Sequence, residues 1–142
     1  GEDENGVCIC LTDEVRVTQA DVRKIQLAKA PIAAGIQILL QEKDWKIKDI
    51  DQVILAGGFG SYMRKESAAE IGLIPKELVK CTHSVGNAAG EGAVSAALAS
   101  EARTELEQLQ KQMRYVELST HEAFSDIFIR EMSFTNSYMR SE

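Results

Sequence analysis

Cysteine and histidine are scarce in this sequence, and no side chain of either kind sits where a metal ligand set would need it. There are three Cys and two His among 142 residues. An odd number of cysteines, with Cys8 and Cys10 forming a C-x-C inside a β-prone segment, excludes a disulfide framework and a zinc knuckle. Cys8, Cys10 and Cys81 read as reduced, structural residues of a cytoplasmic protein. His83 and His121 have no partners at ligand spacing. Basic charge is also short, with 16 Lys and Arg against 22 Asp and Glu and a net charge of −6. No basic stripe is present, which argues against nucleic acid as a partner. No apolar run is long enough to span a bilayer, so no membrane contact is expected. The opening "GEDENG" lacks the basic and apolar regions of a signal peptide and reads as a cut inside a longer chain. What remains, 44% hydrophobic and 27% charged residues, is the composition of one folded domain.

The pattern along the chain alternates between strand and helix. Val7–Leu11 and Val15–Val17 are β-prone and separated by "TDE", which predicts a hairpin. Thr18 stands three residues before Asp21, a cap for the helix-compatible run that follows. On that run Val22, Ile25, Ile32, Ile36, Leu39 and Leu40 recur at helical spacing and predict the buried face, with Pro31 kinking or interrupting it. "QVILA" is an apolar run of strand length, predicted to be buried on both faces. A short helix from about Lys65 to Ile71 should stop at Gly72, and Val79–Val85 should be a strand. "GNAAGEGAVSAALASEARTELEQLQKQ" predicts one long helix with a small-sided start. "MRYVEL" is a further strand candidate. In "STHEAFSDIFIREM", Ser119 and Glu122 suit a capping box, and Phe124, Ile127 and Phe128 form an apolar stripe. Such alternation predicts an α/β fold with a mainly parallel sheet flanked by helices.

The conspicuous feature is "VILAGGFGSY", an apolar run ending in Gly57, Gly58 and Gly60 around Phe59. Glycines after a strand allow close approach of a backbone to a ligand, often a nucleotide, although a tight turn needs them equally. From Gly58 the dinucleotide frame finds Met63 where its third glycine belongs, and no glycine run is followed by the Lys-Ser/Thr of a P-loop. Phe59 fits either a core plug or an adenine platform. Asn87 fits a helix cap or a nucleotide contact.

The order of a Thr-capped helix, "IDQVILAGGFGS" and "VGNAAGEGAVSAAL" resembles the C-terminal half of the ATPase fold shared by actin, heat-shock chaperone ATPases and sugar kinases. Five ordered segments, "TQADVRKIQLAKAPIAAGIQILL", "VILAGGFGSY", "AAEIGLIPKEL", "VGNAAGEGA" and "YVELSTHEAFSDIFIREMSF", are more closely similar to the C-terminal domain of the reductive activators of corrinoid proteins. The resemblance implies a single ribonuclease H-like lobe over residues 1–142, part of a larger iron–sulfur protein that uses ATP with Mg²⁺ to reduce Co(II) to Co(I) in a corrinoid partner. It implies that Gly57, Gly58, Phe59 and Gly60 contact the adenosine, with Gln26, Lys29 and Asn87 as polar contributors. Pro31 departs from the family pattern, which has a second Ala there. None of the seven Asp residues opens an Asp-x-Gly phosphate loop, so the phosphates, the N-terminal lobe and the iron–sulfur cluster are expected outside this chain. Two other readings stay open: a non-catalytic scaffold of a metal-binding redox protein that dimerises or docks the corrinoid protein, and a lobe of a small-molecule kinase.

Overall fold

The computed structural model describes residues 2–3 and 6–134, and the Phe59 side chain lies outside what is described. β1 (Glu2–Asp3), β2 (Gly6–Cys10) and β3 (Arg16–Thr18) form an antiparallel sheet in that order, with Ile9 opposite Val17. The predicted hairpin is present, closed by Thr12, whose hydroxyl accepts the Val15 N–H at 2.9 Å. α1 (Gln19–Lys43) follows directly.

Thr18 caps α1 in a full capping box: its Oγ1 accepts the Asp21 N–H at 3.2 Å and Asp21 accepts the Thr18 N–H at 3.1 Å. The Thr18 hydroxyl, donating to the same carboxylate, holds Asp21 below the usual carboxylate range. A lowered folded value means this contribution is present above the ordinary carboxylate pKa and is lost as pH falls through the lowered one. Loss of the cap in Thr18→Ala is expected to cost about 1 kcal/mol at neutral pH. In urea titrations the gap from wild type should narrow on acidification below the lowered Asp21 value.

Two expectations for α1 meet the structure differently. Pro31 does not interrupt the helix, which runs on through it; the proline forfeits one bond, to the Leu27 carbonyl, and the helix is held by the packing of the residues that follow. The buried face is also not the predicted one. It consists of Lys29, Ala30, Ala33, Ala34, Gly35 and Ile38, while Ile25, Ile32 and Leu39 stay 42%, 42% and 52% exposed. Small side chains let a partner approach closely: a Cβ on Gly35 would lie 3.3 Å from Leu118.

β4 (Val53–Leu55) is followed by α2 (Gly57–Tyr62) and α3 (Lys65–Glu70). α3 stops where predicted: Gly72 takes φ +76°, and the Gly72 and Leu73 N–H groups return to the Ala69 and Ala68 carbonyls at 3.0 and 2.8 Å. This is a Schellman stop. The predicted strand Val79–Val85 is shorter than expected; residues Lys76–Cys81 form a 3₁₀ turn and β5 covers only Thr82–Ser84. β5 pairs with β4 in parallel, Ile54 opposite His83. Among the described residues the parallel part of the fold is thus two strands, and the other three are antiparallel.

The predicted long helix divides into α4 (Ala88–Leu98) and α5 (Ser100–Gln112) at Ala99, which is extended at φ −130° and ψ 129°. "MRYVEL" forms no strand. Among the described residues no strand edge meets it; Glu117 accepts from the Tyr115 hydroxyl and from that of the following Ser119, both at 2.5 Å, while Val116 and Leu118 pack toward α1 and α6 (Phe124–Glu131). The Ser119–Glu122 capping box is likewise absent, because Ser119 is engaged by Glu117, and α6 starts without a side-chain cap. Its stripe forms as expected, with Ile127 buried and Phe124 stacked on Phe128 at 5.8 Å.

α1 is the spine of two apolar clusters. Ala34 and Ile38 meet Ile127 of α6, with Val116, Leu118, Phe124 and Phe128 around them. Ile36 packs on Ala68, Ala69, Leu73 and Ile74. None of the three cysteines is in a disulfide; Cys8 is buried and Cys10 exposed. Among the described residues no helix is long and apolar enough to cross a membrane.

Candidate functional site

The two glycine-rich segments, 26 or more residues apart in sequence, meet at the carboxyl ends of the two parallel strands. Val85 N–H donates to the Leu55 carbonyl at 2.8 Å, and Gly57 N–H donates to the Gly86 carbonyl at 2.8 Å. The Gly86 carbonyl also accepts the Ala88 N–H at 2.9 Å, which ties the start of α4 to the same point. Ligands of open parallel sheets bind outside the carboxyl ends of the strands. An apolar strand that stops at glycine, beside a second strand that does the same, builds that position.

Each glycine has its own reason. Gly57 takes φ +73°, a conformation that L side chains rarely adopt, so that β4 turns sharply into α2. At Gly60 a Cβ would collide with the carbonyl oxygens of Leu55 and Val85, so this residue lies directly over the strand ends. At Gly58 a Cβ would meet nothing within 4 Å, and the same holds at Gly86 and Gly92. Gly57 and Gly60 are thus demanded by the fold, whereas the protein's own packing leaves Gly58 unexplained. Rather than a bare strand-end turn, Gly57, Gly58 and Gly60 form part of a short helix.

Asn87 caps α4, its Oδ1 accepting the Gly90 N–H at 3.0 Å, and its amide lies so close over Gly90 that a Cβ there would strike it. It remains exposed beside Gly90, Glu91 and Val94. Gln26 is half-buried on α1. Lys29 is 2% exposed and donates from Nζ to the Ser133 carbonyl at 2.5 Å, under the ring of Phe134 at 5.9 Å. Burial pushes its ammonium below the usual lysine range, opposed by the charge of Glu131. Glu131 is itself 1% exposed and accepts from Gln37 Nε2 at 2.6 Å. α1 shares no extensive contact with α2 or α4 among the described residues. The structure therefore brings Gly57, Gly58, Gly60 and Asn87 to one place, and holds Lys29 in the seam between α1 and the end of α6.

Sequence reasoning missed two participants. The Gly86 carbonyl joins the strand ends, which only the parallel pairing reveals. The charge of Glu131 favours the Lys29 ammonium against burial, and its one signal was an acidic residue at the end of the apolar stripe of α6. A cavity of ≈ 350 Å³ lies elsewhere, lined by Ile36, Leu39, Trp45, Val53, Pro75 and Leu78 among others. It adjoins the opposite end of β4, and at its rim Arg114 pairs with Glu42 at 2.8 Å. Its lining is mainly apolar, with Glu42, Lys43, Gln52 and Arg114 as the polar members.

The family model described as "C-terminal domain of RACo the ASKHA domain" matches residues 3–141. The chain is 32% identical over 126 residues to the corrinoid activation enzyme RamQ of Eubacterium limosum, covering 89% of this chain and 21% of that protein. It superposes on the solved structure of a reductive activator for corrinoid, iron-sulfur protein with a TM-score of 0.78 at 34% identity, covering 91% of this chain and 22% of the other. The chain thus spans about a fifth of the length of each relative. The glycine turns at the ends of β4 and β5 stand in an actin-like lobe, and the chain belongs to the family of RACo C-terminal, or ASKHA, domains.

Proposed function

We propose that this chain is one lobe of an ATP-dependent reductive activator of a corrinoid protein, and that the surface over Gly57, Gly58 and Gly86 covers the adenosine of bound ATP. The observation that carries the reading is Gly58: nothing in the protein approaches its missing Cβ, which leaves the backbone there open to close approach by a ligand. Relatives with corrinoid activation in their names support the setting.

A nucleoside fits what this chain presents, namely exposed backbone and bare glycine surface beside the Asn87 amide. Among the described residues no three His, Cys, Asp or Glu converge on a point, and no Asp-x-Gly loop occurs in the sequence. We assign Mg²⁺, the phosphates and the iron–sulfur cluster to the rest of a longer protein, which would include the N-terminal lobe. Bound ATP would supply the driving force for electron transfer; this chain would contribute closure over the nucleoside and a rigid strand-end platform. Gln26 and Lys29 enter the proposal differently. Gln26 is offered as a polar contact, while Lys29 keeps α1 docked on α6 and so positions it.

Gly58→Val in the full-length protein is expected to weaken ATP binding at least about tenfold, because a branched side chain fills the space assigned to the nucleoside. Isothermal titration gives the affinity, and unchanged circular dichroism shows that the fold is intact. An affinity within about twofold of wild type would take Gly58 out of the site and favour the docking or scaffold reading.

A further inference from the structure

Tyr62 closes α2 and stands in solvent, 91% exposed. Its direction follows from the burial of its neighbours. Gly60 lies directly over the strand ends, and Met63 packs against the apolar cluster of Ala68, Ala69, Leu73 and Ile74. These two positions mark the inward side of the turn. Successive residues of a helix are rotated by about 100°, so Gly58 and Tyr62, four apart, share the outward side. A helical side chain leans back over the turn that precedes it, which puts the space above Gly58 within reach of the Tyr62 ring. That space is bare: a Cβ on Gly58 would meet nothing within 4 Å. The Gly57 N–H, donated to the Gly86 carbonyl at 2.8 Å, sets the start of α4 beside the same turn.

We propose that Tyr62 is the platform on which the base of the nucleotide stacks, and so the residue that favours a purine. This rests on the reading of the Gly58 surface as the one that faces the nucleoside. The two residues divide the task. Gly58 has no side chain to hold a flat ring away from the backbone, and Tyr62 supplies the aromatic face for that ring. The tyrosine brings apolar area and a hydroxyl but no cation, which suits the base end of a nucleotide rather than its phosphates. With only two side-chain torsions to fix, it loses little conformational freedom when a base settles on it. A larger base gains more from such a face, hence the preference for purines.

Titration calorimetry of the full-length protein with ATP and with CTP tests this. Tyr62→Ala is expected to weaken ATP about tenfold, the scale on which aromatic–base stacking responds to alanine substitution, and to weaken CTP less. The urea midpoint should stay in place, since so exposed a side chain holds little of the fold. Tyr62→Phe keeps the ring and should bind ATP within about twofold of wild type. Unchanged ATP affinity in Tyr62→Ala would overturn the proposal. Equal losses for ATP and CTP would overturn it as well, by placing the effect away from the base, and so would a weakened Tyr62→Phe, by moving the contact to the hydroxyl. Gly58→Val separates this failure from that of the underlying reading. If it weakens ATP while Tyr62→Ala does not, only the platform is lost; if neither substitution matters, the nucleoside surface itself is removed.

Discussion

Replacing Gly60 with alanine should destabilise the domain by about 3 kcal/mol, the upper range for forcing an atom into a filled interior. The obstruction is backbone on both sides. A Cβ at this position would run into the carbonyl oxygens of Leu55 and Val85, and Leu55 is already committed to the Val85 N–H at 2.8 Å. A flexible side chain would swing aside, whereas here β4 must separate from β5 or α2 must lift away. The urea midpoint should fall accordingly. Gly58→Ala, two residues earlier in the same helix, is the control. Its Cβ is unobstructed and its φ is not in the left-handed region, so the change should be neutral or stabilise by up to about 1 kcal/mol. Equal losses for the two variants would show that the strand-end contact at Gly60 does not exist.

Lys29→Met should be at least as damaging, costing about 3–5 kcal/mol, because it leaves a buried carboxylate without the charge beside it. Lys29 and Glu131 are 2% and 1% exposed, and the Ser133 carbonyl loses its 2.5 Å donor at the same time. Adding Glu131→Gln to that variant removes the stranded charge and should recover part of the loss, which a double-mutant cycle measures. The pH dependence has a defined sign. Burial lowers the folded pKa of Lys29 below its unfolded value near 10.5, so the unfolded chain binds more protons between the two values. Stability of the wild type should rise with pH across that alkaline window, relative to Lys29→Met, which has no such term. A parallel pair of pH profiles would mean that Lys29 is solvated.

Both predictions concern residues first noticed as nucleotide contacts, and the structure gives each a role within the fold. Gly60 was recognisable as a close-approach position, yet what approaches it is the protein's own backbone. Gly58 looked the same in sequence and differs only in having open space above it. Lys29 looked like a polar residue on an exposed helix face. Its neighbours Ala30, Ala33 and Ala34 share its side of α1, and the seven-residue spacing of Ile25, Ile32 and Leu39 drew attention to the wrong stripe. Hydrophobicity predicts burial only when an element arrives to cover it, and α6 covers the alanines because their short side chains allow the closest approach.

Features governed by residues within three or four positions were readable without coordinates. The Thr18–Asp21 capping box, the Gly72 stop and the hairpin closed at Thr12 are of this kind, since caps and turns satisfy backbone groups a few residues away. The α/β alternation and the family resemblance were readable for a related reason, as each reflects the order of such local units. Decisions between distant segments belonged to the tertiary structure: the parallel pairing that joins Gly57 to Gly86, the failure of "MRYVEL" to find a strand edge, the division of the long helix at Ala99, and the meeting of Lys29 with Glu131. A run of apolar residues is equally content as an edge or an interior strand until its neighbours are fixed. Burial, hydrogen-bond partners and charge neutralisation depend on which surfaces meet, and one-dimensional spacing does not carry that information.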